Sequence, residues 1–307
     1  MNRKLLLINT LCFIAFLSLG CTAQSQTENV SEQVLIEYEN IQYYTSASPD
    51  ADLTTLNIVM PEGIDNPPVF IWIGQGAWAY VDKDVEMNIC QQFAKEGMAV
   101  VSAQHRLSPA LLGEKKRHEG VQHPEHIKDI SHAFKWVYDN AEQYGYDQQN
   151  IFVGGYSSGG HLAALLAMDN RYLKNRGLSN KMIKAIIPIG GGYDIPDYSE
   201  QLIAEDPAYE QNHINPVFGE TYEAHIDASP TTYIDSLITP ILLICEADTY
   251  TYNRGFESLL VEKESPNIEV LNLHNHTHAG LWNELGSKEP SIYRDFIVGY
   301  IKKWSSL

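Results

Sequence analysis

Cysteine and positive charge are both scarce in this chain. Its 307 residues hold four cysteines. Cys12 and Cys21 fall in or beside an apolar N-terminal run, which leaves Cys90 and Cys245 for the remainder. Two cysteines over such a length do not make a disulfide framework, so they read as small interior hydrophobes or at most one bridge. Against 39 acidic residues stand 21 basic ones, a formal net charge of −18. A field of that sign repels phosphate backbones and anionic lipid, which excludes nucleic acid as a partner. Beyond the N-terminus no stretch approaches ~18 unbroken apolar residues, so nothing later in the chain is expected to span a membrane. Internal repeats and low-complexity tracts are also missing. What is there is ordinary globular material: 44% hydrophobic and 20% charged residues, with 21 glycines and 14 prolines, enough to bury a substantial core.

Arg3 and Lys4 precede an apolar run from Leu5 to Leu19, the pattern of a secretory signal, so residues 1–20 are read as a signal peptide. Ser18-Leu19-Gly20-Cys21 resembles a bacterial lipobox, with Ser18 where leucine is usual, and implies lipidation of Cys21. Cleavage after Ala23, at Cys21-Thr22-Ala23, is the alternative. Either outcome predicts export, as a periplasmic or cell-envelope lipoprotein or as a secreted protein. A lipid on Cys21 is the only membrane contact expected. Residues 21–33 read as a polar tether and 34–307 as a single domain.

Val34–Tyr44 and Leu53–Met60 are rich in β-branched and aromatic residues and predict two leading strands, parted by the turn signal Ser48-Pro49-Asp50. Val69–Ile73 and Ala99–Ala103 are short continuous apolar runs, as strands buried on both faces are. Further strands are predicted at Ile151–Val153, Ala185–Ile189, Pro240–Ile244 and Ile268–Leu273. A helix from Pro124 places Ile127, Ile130, Phe134, Val137, Ala141 and Tyr144 on one face. Others start near Gly159 and at Ser291, the last with a stripe of Tyr293, Ile297, Ile301 and Trp304. This alternation predicts a three-layer α/β fold, a mostly parallel sheet with helices on both faces and chemistry at the carboxyl ends of its strands. Residues 191–236, with five tyrosines and little periodicity, read as an inserted cap or long loop over those ends.

The run Ile151-Phe152-Val153-Gly154-Gly155-Tyr156-Ser157-Ser158-Gly159-Gly160 contains Gly-x-Ser-x-Gly between a predicted strand and a predicted helix. A sharp turn there holds the serine in a strained conformation and aims the helix N-terminus at a developing oxyanion. A serine hydroxyl also needs a general base oriented by a carboxylate, and in such folds the order is Ser, acid, His. After Pro240–Ile244 come Glu246 and Asp248; after Ile268–Leu273 come His274, His276 and His278.

With Gly74-Gln75-Gly76-Ala77-Trp78 and His105-Arg106-Leu107-Ser108-Pro109 added, the chain resembles the carboxylesterase branch of the α/β-hydrolases. That branch includes hormone-sensitive-lipase-like enzymes and feruloyl or acetyl-xylan esterases. The likeness covers residues ~55 to 304. It implies Ser157 as nucleophile, and an oxyanion hole from the backbone N–H groups of Gly76, Ala77 and Ser158. The family's Glu-x-Asp context selects Asp248 as the acid, with Glu246 the alternative. The usual position just before the last helices selects His278 as the base, with His276 the alternative. Gly74 and Gln75 depart from the family's His-Gly-Gly-Gly-Trp loop, but backbone donors survive such exchanges.

His274, His276 and His278, and the pair His123 and His126, also have spacings that suit zinc. His123-Pro124-Glu125-His126 is not His-Glu-x-x-His, however, and neither a metal nor another cofactor is expected. His161, Arg106 and Asp129 read as scaffold. The resemblance thus implies an exported serine carboxylesterase acting through an acyl-enzyme on short-chain or carbohydrate-linked esters. Its rate is expected to rise over roughly pH 6–8 as the base loses its proton. An amide hydrolase (formamidase or peptidase) and an inactive surface-anchored binding module are the alternatives.

Overall fold

In the computed structural model, residues 33–45, 50–109, 111, 117–263 and 267–306 are described. The predicted signal peptide, Cys21 and nearly all of the tether lie outside them, so the structure does not bear on export or lipidation.

Eight strands form one sheet, in the order β1-β2-β4-β3-β5-β6-β7-β8. They are β1 (Leu35–Gln42), β2 (Thr55–Pro61), β3 (Pro68–Ile73), β4 (Ala99–Ala103), β5 (Asp147–Tyr156), β6 (Ala185–Ile189), β7 (Ile241–Glu246) and β8 (Ile268–Leu273). The two leading strands pair antiparallel, β1 with β2 and β2 with β4, while every pair from β4 to β8 is parallel. The apolar runs read from sequence are the middle strands. Residues 69–73 and 99–103 are buried throughout, as a sheet covered on both faces requires. Two strands run further than expected: β5 begins at Asp147, and β7 continues two residues past Ile244.

The helices are α1 (Met87–Lys95), α2 (Glu125–Asp139), α3 (Ala141–Tyr144), α4 (Ser158–Met168), α5 (Asn170–Lys174), α6 (Ile195–Glu205), α7 (Asn215–Phe218), α8 (Tyr222–Ala228), α9 (Tyr250–Glu262), α10 (His278–Gly286) and α11 (Ile292–Ser305). They cover the sheet from both sides. On one face Ile127, Ile130 and Phe134 of α2, Leu162 to Met168 of α4 and Phe256 and Leu260 of α9 pack against Ile71, Val101, Val153 and Leu243. On the other, Ile89 and Phe93 of α1, Leu281 and Leu285 of α10 and Ile297 and Ile301 of α11 meet Phe70, Trp72, Leu242 and Ile244. This is the expected three-layer α/β architecture.

Residues 191–236 are helical rather than a long loop. Asp194 and Thr221 cap α6 and α8 with their side chains, and a π-helical turn spans Glu210–Ile214. Cys90 and Cys245 are both free and buried, on opposite faces of the sheet. Among the described residues no helix is long and apolar enough to cross a membrane.

Candidate active site

Strand β5 ends at Tyr156 and α4 begins at Ser158, so Ser157 is the whole of the turn between them. Its backbone is held at φ 56°, ψ −119°, a left-handed conformation unfavourable for a residue with a side chain. The turn is over-determined. Ser157 N–H donates to the Ile189 carbonyl at 2.8 Å, and the Ser157 carbonyl accepts from His161 N–H at 3.1 Å. Every residue of α4 is buried. A Cβ on Gly159 would lie 2.0 Å from the Ile73 carbonyl oxygen, so only glycine lets the helix start so close to β3.

Opposite this helix N-terminus lies the loop after β3. Gly76, Ala77 and Trp78 all have positive φ, at 139°, 50° and 58°. The strain is fixed by a tight turn in which the Gly76 carbonyl accepts from Ala79 N–H at 2.9 Å and Tyr80 N–H at 2.7 Å. The N–H groups of Gly76 and Ala77 have no acceptor among the described residues. The amide of Ser158, at the first position of α4, is one of the orphan donors of a helix start. Trp78, 2% exposed, donates its indole N–H to His161 Nδ1 at 3.1 Å, and His161 Nε2 lies 2.8 Å from the Ala228 carbonyl. An indole only donates and a carbonyl only accepts, so the His161 proton is on Nε2 and the ring is neutral. Burial pushes this imidazole down to about 3. His161 is thus scaffold of a definite kind, tying the loop after β3 to α4 and to the end of α8.

The carboxylate against the His278 ring is Glu246 rather than Asp248. His278 Nδ1 meets Glu246 Oε1 at 2.5 Å, whereas Asp248 Oδ2 accepts the backbone N–H of His278 at 2.7 Å. The cause is the length of β7. Alternation along the strand puts Glu246 on the side of Leu242 and Ile244, the face that α10 covers. Asp248 lies beyond the strand in an exposed turn, where it satisfies a free amide at the start of α10. Glu246 is 1% exposed. A carboxylate only accepts, so the shared proton sits on Nδ1, and in the neutral form of the ring the lone pair is on Nε2. Tyr156 completes the setting: its hydroxyl donates to the His278 carbonyl at 2.7 Å, and its ring centroid is 4.8 Å from the imidazole. The residue before the elbow therefore touches the residue in the base position.

His276 points elsewhere, to Glu284 at 3.0 Å and the Tyr293 ring. His274 faces Tyr250. His123 meets Asp227, and His126 meets Ser108. Among the described residues no group of His, Cys, Asp or Glu is arranged to hold a metal. Arg106 grips Asp129 through Nε at 2.9 Å and a terminal nitrogen at 2.7 Å, a buried scaffold pair as read from sequence. The five tyrosines of residues 191–236 divide, and Tyr209 lies edge-on to His213. Tyr193 is fully buried, and the Tyr233 hydroxyl is engaged by Arg171 and Asp227. Tyr222 is 65% exposed, while Tyr198 packs edge-on against Trp78 and Tyr252.

Sequence reading passed over Glu86. It precedes α1, is 1% exposed, and its carboxylate takes the indole N–H of Trp72 at 2.8 Å and of Trp282 at 3.1 Å. It also takes the backbone N–H of Gln75 at 3.3 Å. The available signal was Gly74 standing where the resembled family has histidine.

A serine on a strained strand-to-helix turn, amides in the loop after β3 that are unpaired among the described residues, and a carboxylate-bound histidine after the last strand define the α/β-hydrolase class. The BD-FAE family model matches residues 56–252, and the chain belongs to that family. It is 27% identical over 203 residues to the probable carboxylic ester hydrolase LipM of Mycobacterium tuberculosis, a match covering 64% of this chain and 42% of LipM. The chain spans half or less of the length of such curated relatives. Among solved structures, an inhibited esterase B from Lactobacillus rhamnosis superposes with a TM-score of 0.71 at 19% identity, covering 89% of this chain and 88% of that one. A truncated carbohydrate esterase from gut microbiota gives 0.68 at 19% identity, with 90% and 98% covered.

Proposed function

We propose that the protein is a serine carboxylesterase in which Ser157 is the nucleophile, His278 the base and Glu246 the acid. The 2.5 Å contact of Glu246 with His278 Nδ1, beside the Ser157 elbow, carries this assignment. His278 Nε2 takes the Ser157 hydroxyl proton as Oγ bonds to the ester carbonyl carbon. The carbonyl oxygen gains the negative charge and is met by the amides of Gly76, Ala77 and Ser158. Collapse expels the alcohol, which leaves with the proton from Nε2, and forms the acyl-enzyme. Water, deprotonated by the same nitrogen, then releases the acid and restores Ser157. Glu246 keeps the ring oriented and offsets its charge while it is an imidazolium. The names of the relatives support ester chemistry, and the carbohydrate esterase among the structural neighbours supports carbohydrate-linked as well as short-chain esters.

Hydrolysis of p-nitrophenyl acetate by residues 24–307 tests the assignment. Ser157→Ala is expected to lower kcat by at least ~10³-fold. Equal rates in the two proteins, or none in either, would refute the serine mechanism.

A further inference from the structure

Glu86 joins two halves of the site that no strand or helix joins directly. Its Oε1 accepts Gln75 N–H at 3.3 Å and Trp282 Nε1–H at 3.2 Å; its Oε2 accepts Trp72 Nε1–H at 2.8 Å and Trp282 Nε1–H at 3.1 Å. Gln75 is one peptide before Gly76, the first proposed oxyanion donor. Trp282 lies one turn of α10 beyond His278, on the same side of the helix. Trp72 anchors the carboxylate to the interior of β3 and is itself fully buried. The side chain is also accommodated by its neighbour, because a Cβ on Gly74 would lie 2.7 Å from Glu86 Cγ. The glycine that departs from the resembled loop is therefore the space that Glu86 fills.

Such a group is expensive to keep unless it does something. Among the described residues no cation pairs with Glu86, and burial pushes its carboxyl up while the indole and amide donors pull the other way. A hydrophobic residue would fill the volume, but would leave two indoles and an amide without acceptors.

We propose that Glu86 is a positioning residue that fixes the oxyanion loop and the base-bearing helix relative to one another. The role rests on the esterase assignment above. It acts through Gln75 on the Gly76 amide and through Trp282 on His278, and it touches no reacting atom. Glutamine keeps the shape but presents one accepting oxygen where two are used, so either Gln75 or Trp72 loses its acceptor and the bridge loses its loop tether or its anchor. Phenylalanine at 282 removes the α10 tether alone.

The test is p-nitrophenyl acetate hydrolysis by the wild type, Glu86→Gln and Trp282→Phe, with active sites counted by end-point labelling with a fluorophosphonate. Counting sites separates positioning from loss of folded protein. A purely structural role lowers the number of labelled sites and leaves kcat per site unchanged. Positioning lowers kcat per site by about 10- to 100-fold in Glu86→Gln, and by about fivefold or more in Trp282→Phe, with KM within about threefold in both. Values of kcat per site within twofold of wild type in both variants would overturn the proposal. If Glu86→Gln does not fold, Trp282→Phe decides alone. A wild type that neither hydrolyses the ester nor labels would overturn the esterase assignment itself, and this role with it.

Discussion

Glu246 and Asp248 both hold His278, one by its ring and the other by its backbone amide. The difference has a measurable consequence, because the two contacts respond differently to losing a charge. An amide at 246 has no need of the Nδ1 proton and favours the wrong tautomer, which places a proton on the nitrogen that must accept one from serine. Glu246→Gln is therefore expected to lower kcat by about 10³- to 10⁴-fold. An asparagine at 248 still offers a carbonyl oxygen to the same backbone N–H. Asp248→Asn is expected to stay within about fivefold of wild type. Steady-state kcat for p-nitrophenyl acetate distinguishes the two, and the reverse ranking would return the acid to Asp248.

At the scale of elements, the contact of Glu246 with His278 follows from a strand that ends two residues later than its apolar run. Had β7 been read through Glu246, its alternation with Leu242 and Ile244 would have aimed that side chain at the face covered by α10. The candidate site was legible where a backbone constraint is written in composition: the glycines around Ser157, the continuous apolar strands, the histidine before the closing helices. Glu86 was not legible, since its partners Trp72, Gln75 and Trp282 meet only in three dimensions. The helices of 191–236 escaped because α6, α7 and α8 are short and lack a long apolar stripe, although Asp194 and Pro196 mark the first start. The same scale sets where the site is soft. Ser157 follows β5, buried from Ile151 to Tyr156 in the middle of the sheet, while His278 follows β8, an edge strand buried only at Leu273. Local opening at such an edge needs less free energy than global unfolding. In urea, esterase activity is expected to disappear before the far-UV circular dichroism changes; coincident transitions would show that β8 is held as firmly as β5.

For the molecule as a whole, histidines shape the response to acid: burial lowers His123, and His132 to about 4, beside four others. His105, His126, His161 and His213 are buried, and burial pushes all four imidazoles below their ordinary range, His161 to about 3 and His213 to about 4. The unfolded chain binds these protons first, near pH ~6.5. Their contribution to stability is therefore complete above that pH and is lost as pH falls toward the folded-state values. Each group costs ~1.4 kcal/mol per pH unit within its window. Glu86 acts in the opposite sense, since its carboxyl is raised, and relief of the −18 net charge also opposes the loss. Six lowered imidazoles outweigh these, so Tm by calorimetry at constant ionic strength is expected to fall steeply between pH 6.5 and about 4.5. A flat Tm over that range would mean that the histidines take up protons without unfolding.

His161 also sets a rule for exchanging parts between related proteins. Its Nε2 proton finds its acceptor on Ala228, at the end of the inserted helices, while its Nδ1 receives the indole N–H of Trp78 from the loop after β3. A chimera that replaces residues 191–236 with the corresponding segment of a related protein must bring a carbonyl to the same place. Otherwise the graft, though distant in sequence from the loop after β3, leaves that loop hanging from a histidine with no second support.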